Sequence, residues 1–584
     1  MSEEKTVKKY LSRLTQAEPR VFQIYIFYFV CALMCAVFRG VGNMDEIWNY
    51  TFANNIANGL LPYRDFNMLQ TPLSAIIPGL VMKVTGSHLL ITRILGAALH
   101  AGIATVMYRI SRRLGGGVFL SMIPGCGFIL LFIFNVFFEY SGLIVFLELL
   151  LIDLDTQVIM RNKGEGKQNQ DGCVYDEATR LQNENQGAQN QTVTKYDTVC
   201  SFQHREIKTE TEFEEKKEKE KKKEYDVLQD LDVRLLILTG ILGGMAILSK
   251  QTFGLFIALA SWISAALISK KRLRAFFLRG IGSAMFCTLM LIFFLATGTF
   301  DDCIDMCLRG ISTFAKPWYY WVYMASDVER FWQGIFLPPL FMCGAGFAIS
   351  TRKEKIGRMM GIALLYILFS FINMYPLANS FHINTCFGPA LILLVPIVQA
   401  LTNPARGKTP ERRKKSRLLR KAVNIAAGLG VLAFAVVCFV VRPVDVLVTN
   451  NLRMSFTYKH FEATFLSEST KENMTALHPV IGSQIEAGKE IYILDNTAEL
   501  YLLPYDIYHK DLDMFLYGNS GSTTPQDILD ASYEPGAVYL MAGDDRKNTQ
   551  FPWTEMRAFK KRLEQQEDVG PFEMYTAPIN NTTP

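Results

Sequence analysis

Two adjacent carboxylates, Asp45 and Glu46, follow the first strongly apolar run of the chain, in GNMDEIWNYTFANNIANGLLPYRDFNMLQTPL (residues 42–73). A compact cluster, Pro62-Tyr63-Arg64-Asp65-Phe66, stands in the same loop. Charges at the edge of an apolar segment are costly unless something uses them. A carboxylate within hydrogen-bond reach of a hydroxyl takes its proton as the oxygen attacks. An Arg or Lys in a partly dry site stabilises a phosphate whose charge grows as it leaves. Further polar residues stand at or near breaks between apolar runs: Arg93 near one end of the second run, and, between runs, Glu139 with Tyr140, Lys250-Gln251 within LSKQTFG, Arg309 and Lys316, and His382 within YPLANSFHINTCFGP. Each has a plainer reading. Asp45 and Glu46 suit a solvated helix cap, and Lys250 a snorkelling helix end. His382 suits a satisfied loop histidine, Glu139 a loop carboxylate, and Arg93 a structural partner for an interfacial carboxylate. Arg309 and Lys316 read as surface charges.

The elements that must hold these residues are apolar helices. The chain has 584 residues, 50% hydrophobic and 20% charged, and its apolar residues cluster in runs long enough to cross a bilayer as helices. Eleven spans are expected, near 21–38, 88–110, 117–135, 140–158, 234–249, 252–269, 275–297, 331–350, 358–374, 386–402 and 422–441. The first follows a basic N-terminus and has no small-residue cleavage site after it, so it reads as an uncleaved span. With the N-terminus in the cytoplasm, five basic groups fall on that side. They are Lys8-Lys9-Arg13, Arg109-Arg112-Arg113, Lys270-Lys271-Arg272-Arg274, Arg352-Lys353-Lys355-Arg358 and PARGKTPERRKKSRLLRK (404–421). The candidate site residues then share the opposite, outer face of the plasma membrane.

TPLSAIIPGLVMKVTG (71–86) is apolar but short and carries two prolines. As a span it would invert every later loop, so it reads as an interfacial or re-entrant helix. Before it, Trp48, Phe52, Ile56 and Leu60 recur at helical spacing opposite Asn49, Asn54 and Asn58, a second interfacial helix. Residues 159–233, with FEEKKEKEKKKEYD, lack the apolar area for a core and read as a disordered cytoplasmic insert. The tail, 442–584, reads as a small extracytoplasmic α/β domain, with strands at EIYILDN (490–496) and GAVYLMAG (536–543) and a helix at TEMRAFKKRLEQQ (554–566). The expected architecture is therefore an α-helical polytopic membrane protein over 1–441 with an α/β domain behind it.

Eleven scattered cysteines with no CxxC pair disfavour a zinc or thioredoxin-like site. No P-loop, post-strand GxGxxG, HExxH or GxSxG motif occurs. With no basic face interleaved with aromatics, nucleic acid is not an expected partner. Carboxylates and cations on one membrane face fit a transfer between a lipid-held phosphate and a hydroxyl.

The order Asp-Glu after the first span, an amphipathic stretch, Pro-Tyr-Arg-Asp-Phe and a Pro-Leu-bearing apolar segment resembles the first outer loop of the glycosyltransferase C superfamily. The similarity is to the branch holding bacterial protein O-mannosyltransferases and lipid A aminoarabinose transferases, and covers roughly 20–402 in layout. It implies a sugar moved from a polyprenyl-phosphate donor to a glycan, lipid or protein hydroxyl, with inversion at the anomeric carbon. It implies Asp45 as general base and Glu46 as its acidic neighbour, which orients the acceptor or the base. Tyr63, Arg64, Lys250, Gln251 and His382 would bind the donor phosphate or sugar, and Glu139 would be a second acidic residue. No cofactor is certain; Asp45, Glu46 and Glu139 offer carboxylates to a divalent cation. Two other classes stand beside this one: a carrier or flippase for a lipid-linked sugar, and a wall-polymer-binding membrane protein. A carrier calls for internal repeats and charges at mid-membrane, and the sequence has neither.

Overall fold

The structure, a computed structural model, describes residues 19–161, 231–310, 331–375, 379–402, 410–543 and 550–579. Lys8, Lys9, Arg13, Lys316, residues 404–409 and nearly all of the charged insert lie outside the described residues. Every predicted span forms helix. Among the described residues, six helices are long and apolar enough to cross a membrane: Leu89–Arg113, Gln251–Ile268, Arg272–Thr297, Lys355–Met374, Ser380–Thr402 and Lys414–Thr449. Shorter apolar helices include Val21–Val37, Val118–Leu131, Val233–Ile247 and Phe336–Ser350. The helix Tyr140–Arg161 carries Glu148, Asp153 and Asp155, all buried, which lowers its apolarity.

Those acidic residues pin the bundle at its basic end. Asp155 takes both Arg279 amino groups at 2.7 and 3.0 Å, the Ser264 hydroxyl at 2.6 Å and the Tyr366 hydroxyl at 2.9 Å. Four helices thus meet on one carboxylate. Asp153 pairs with Arg109 at 3.0 Å and with Arg113. Two of the arginines read from sequence as topology signals are therefore also structural partners.

Close helix approach sets the opposite end. A Cβ on Gly96 would stand 2.3 Å from Phe137 Cα, so the Leu89–Arg113 helix lies directly against the 132–139 loop. The Phe138 amide donates to Thr92 O at 2.9 Å there. A Cβ on Gly254 would stand 1.9 Å from Ala246 O, so the chain reverses tightly between Val233–Ile247 and Gln251–Ile268. That reversal carries Lys250.

In the first outer loop, helices Met44–Ala57 and Leu73–Thr85 form where two interfacial helices are expected. The expected polar face of Met44–Ala57 is corrected in part: Asn49 and Asn54 are buried, while Asn58, at the helix's C-terminal end, is exposed. The cause is a second cover. The C-terminal segment packs over this helix, joining Val41, Ile47 and Tyr50 to Leu466, Leu477 and Leu502 in one apolar cluster. Strand β1 (Gly40–Val41) pairs parallel with β3 (Thr464–Leu466), and β2 (Met454–Ser455) pairs antiparallel with β3, in order β1-β3-β2.

Beyond these lies a four-stranded sheet of β4 (Ile491–Leu494), β5 (Val538–Ala542), β6 (Glu564–Gln565) and β7 (Phe572–Thr576), in order β4-β5-β7-β6. β4 and β5 fall within the two predicted strand segments. The predicted helix at 554–566 is shorter: Trp553–Lys560 is helical, and Glu564–Gln565 leaves it to pair with β7. The helix Glu468–Glu486 was not read from sequence.

Replacing Gly96 by Ala must shift backbone. We expect Gly96→Ala to destabilise the protein by about 1–3 kcal/mol. Gly361→Ala, at a helical glycine with open space beside it, should leave thermal unfolding in detergent unchanged or slightly raised.

Candidate functional site

The site begins at the N-terminus of Met44–Ala57. Asn43 caps it, its side-chain oxygen accepting from the Glu46 amide at 3.3 Å, while its amide group donates to Asn135 Oδ1 at 3.0 Å. The cap therefore also ties the helix to the 132–139 loop. Asp45 and Glu46 stand in the first turn, where the helix dipole favours negative charge. Their side chains take different paths. Glu46 is fully buried: Arg93 Nε and Nη2 reach its two oxygens at 2.8 and 3.1 Å, and Arg39 Nη2 lies 3.3 Å away. Burial alone would raise the Glu46 carboxyl; Arg39 and Arg93 outweigh it and hold it below the usual range. Asp45 has solvent-accessible surface although protein packs densely around it. That density raises the Asp45 carboxyl, and Lys250 pulls it back.

Three further helices begin beside Asp45. Glu139 caps Tyr140–Arg161, accepting from the Ser141 amide at 2.5 Å and from the Gly142 amide. Burial pushes its carboxyl up to about 7, against those two amides. Lys250 precedes Gln251–Ile268. Its ammonium donates to Asn373 Oδ1 at 3.0 Å and sits 4.8 Å from the Tyr140 ring centre. Burial pushes it down to about 8, opposed by Glu139 and Asp45. His382 lies in the first turn of Ser380–Phe387, its Nδ1 2.7 Å from Asn379 Oδ1, within electrostatic reach of Lys250. Four helix N-termini thus gather around one lysine, each adding a partial positive charge. Such an arrangement favours an anion, and two carboxylates stand at its margin.

Lys250 is placed by backbone. Thr71 Oγ1 donates to Ile247 O at 2.8 Å, the Leu73 amide to Leu248 O at 2.8 Å, and Gln251 Nε2 to Leu69 O at 2.9 Å. Residues 69–73 of the first loop therefore clamp the turn that carries the lysine.

The structure brings together Asp45, Glu139, Lys250 and His382, and does not bring the other candidates to them. Gln251 also donates to Cys307 O at 2.9 Å, so its amide staples loops together. Tyr63 is buried with φ 72, its hydroxyl donating to Gln70 O at 2.9 Å and its ring edge-on to Phe294. It is a wedge beneath the loop. Arg64 is half-exposed and donates to Asp65 through Nε and Nη2, at 2.8 and 2.9 Å. Among the described residues neither Tyr63 nor Arg64 contacts the Lys250 group. The oxygens of Glu46 are occupied by two guanidinium groups, an arrangement that fits the expectation of orienting the base and not that of orienting the acceptor. This removes Glu46 from any divalent-cation set, and among the described residues no group of three or more His, Cys, Asp or Glu is placed to hold a metal ion.

Asn373, Arg39 and Glu148 were not singled out from sequence. Asn373 ends an apolar span in FINMYP, a polar residue at the same predicted face, and that signal was available. Arg39 directly follows the first span. Glu148 is buried inside a helix, where one carboxylate in an apolar run gives little warning.

Replacing Glu46 by Ala strands two buried cations. We expect a loss of about 3–5 kcal/mol, read as thermal destabilisation in detergent, while Arg64→Ala should change stability by less than about 0.5 kcal/mol.

No protein-family model matches the sequence, nor does any curated protein. Among solved structures, ArnT from Cupriavidus metallidurans bound to undecaprenyl phosphate is similar, with TM-score 0.51 at 12% identity, covering 97% of this chain and 100% of that one. The apo state of the same protein gives TM-score 0.50 at 10% identity over the same shares. Over nearly its whole length the chain shares the fold of ArnT.

Proposed function

We propose that this protein is an integral-membrane glycosyltransferase that moves a sugar from a polyprenyl-phosphate donor to an acceptor hydroxyl at the outer face of the plasma membrane. The observation that carries the reading is the gathering of helix N-termini around Lys250 beside the solvent-accessible carboxylate of Asp45. That arrangement suits a phosphate leaving group and a proton acceptor within one site. The ArnT structure bound to undecaprenyl phosphate supports the donor class through its fold. Eleven membrane crossings over 1–441, and an extracytoplasmic α/β domain over 442–584, complete the proposal.

In the reaction the acceptor oxygen attacks the anomeric carbon as the bond from that carbon to the phosphate oxygen breaks. Asp45 takes the acceptor proton. The electron pair leaves with the polyprenyl phosphate, whose added charge Lys250 and the helix N-termini stabilise. A single displacement inverts the anomeric centre and requires one base. His382 and Tyr140 flank the lysine and shape the phosphate site. Glu139 is a positioning residue: it caps its helix and, with Asp45, holds Lys250 in its charged form.

In micelles with a polyprenyl-phosphate sugar and candidate acceptors, Asp45→Asn should lower turnover by about 10²–10⁴-fold. Lys250→Ala should abolish donor use. Transfer undiminished in Asp45→Asn, or only lipid-sugar movement across vesicles surviving that change, would overturn the reading in favour of another base or a carrier. Lys250 is charged below its value of about 8 and neutral above it. With Asp45, Glu139, Tyr140 and His382 facing it, kcat/KM should therefore fall as pH rises through about 8. Lys250→Arg should move that alkaline limb upward, because guanidinium stays charged.

A further inference from the structure

A second cleft, of about 620 Å³, opens where the C-terminal ends of helices Met44–Ala57 and Leu73–Thr85 meet the C-terminal segment. Asn54, Ala57, Lys83, Lys459, Asp506 and Tyr508 line it. Its polar wall is already organised. Asn54 donates to the Tyr508 hydroxyl, and Lys459 pairs with Asp506. Asp506 Oδ1 also lies 2.9 Å from His460 Nε2. His460 is only 4% exposed and sits 2.8 Å from the Tyr50 hydroxyl through Nδ1, which anchors this wall in the core. Lys83 has no ion-pair partner among the described residues. Two lysines against one carboxylate make the lining side chains positive, set against the partial negative charge of the two helix C-termini that end here.

The helix that carries Lys83 also exposes Leu80 (58%) and Val84 (86%). A cationic cleft thus has an apolar shoulder on the same helix. This combination fits a phosphate-bearing head with an attached hydrocarbon tail. Asn54 and Ala57 are 9 and 12 residues beyond Asp45 in one helix, about 14–18 Å at 1.5 Å per residue. A headgroup seated here does not reach Asp45.

We infer that the cleft is a second binding site, for the phosphate head of an amphiphile, separate from the Lys250 site. A phospholipid and a soluble polyol phosphate share the headgroup chemistry, and the test separates them. The full chain in detergent micelles is titrated with dioctanoylphosphatidylglycerol and, in parallel, with glycerol 1-phosphate. The lipid should bind at least about tenfold more tightly, since burying even a few methylenes supplies that difference. Lys83→Glu should weaken lipid binding about tenfold or more through loss of a charge-assisted contact. Ala57→Phe, which fills the cleft, should do the same, and Lys250→Ala should leave lipid binding unchanged. Unfolding temperature checks that each variant is folded, and either folded cleft variant suffices. Wild-type affinity in a folded cleft variant overturns the inference, as does lipid binding lost in Lys250→Ala. Glycerol 1-phosphate binding as tightly as the lipid overturns the amphiphile and leaves a soluble-phosphate site.

Discussion

The geometry around Asp45 depends on a buried trio of charges. Arg39 comes from the end of the first apolar helix, Glu46 from the first outer loop and Arg93 from the start of the next long helix. Arg93 also donates to Arg39 O at 3.2 Å, so the trio closes on the backbone of the segment it joins. Three elements that would otherwise be hinged at a loop become one corner. Asp45, one residue from Glu46, inherits that rigidity while it stays exposed to solvent. Two adjacent carboxylates thus divide the work: one is neutralised and immobile, the other accessible.

Such a trio is not a cheap source of stability. Removing charges from water costs several kcal/mol per ion, and an apolar replacement of similar shape is often as stable. Two cations against one anion leave an excess positive charge, and Arg39 Nη1 has no hydrogen-bond partner although buried. The surplus lies on the side of the molecule where the proposed chemistry handles phosphate. Positioning, rather than stability, is the reason that accounts for charges at this corner. The same logic runs at the other end of the bundle, where Asp155 gathers Arg279, Tyr366 and Ser264 from three helices.

Much of this organisation was legible in the sequence because apolar runs announce helices and polar residues at their breaks announce something kept at the membrane edge. Lys250 stood out for that reason, between two runs too apolar to carry it otherwise. Partnerships were not legible. Nothing local says that Glu46 pairs with an arginine 47 residues on, or that Arg64 turns to its neighbour Asp65. The alternation of asparagines and apolar residues in Met44–Ala57 was read correctly as two faces, but not that both are covered, since the covering segment lies more than 400 residues away in sequence. The helix Glu468–Glu486 is largely polar outside its buried stripe, so periodicity alone gave weak notice of it.

That distance has a consequence for how the molecule is made. Strand β1 at Gly40–Val41 finds its partner only in Phe465–Leu466, and the Thr470 hydroxyl reaches Val41 O across 429 positions. During synthesis the loop that follows the first helix must therefore wait until residues 465–470 have been made. Only then is its helix roofed and its strand paired. A chain arrested or cleaved before residue 466 would hold its membrane helices but lack the upper wall of the loop that carries Asp45. Completion of synthesis thus doubles as the last step of assembling the site.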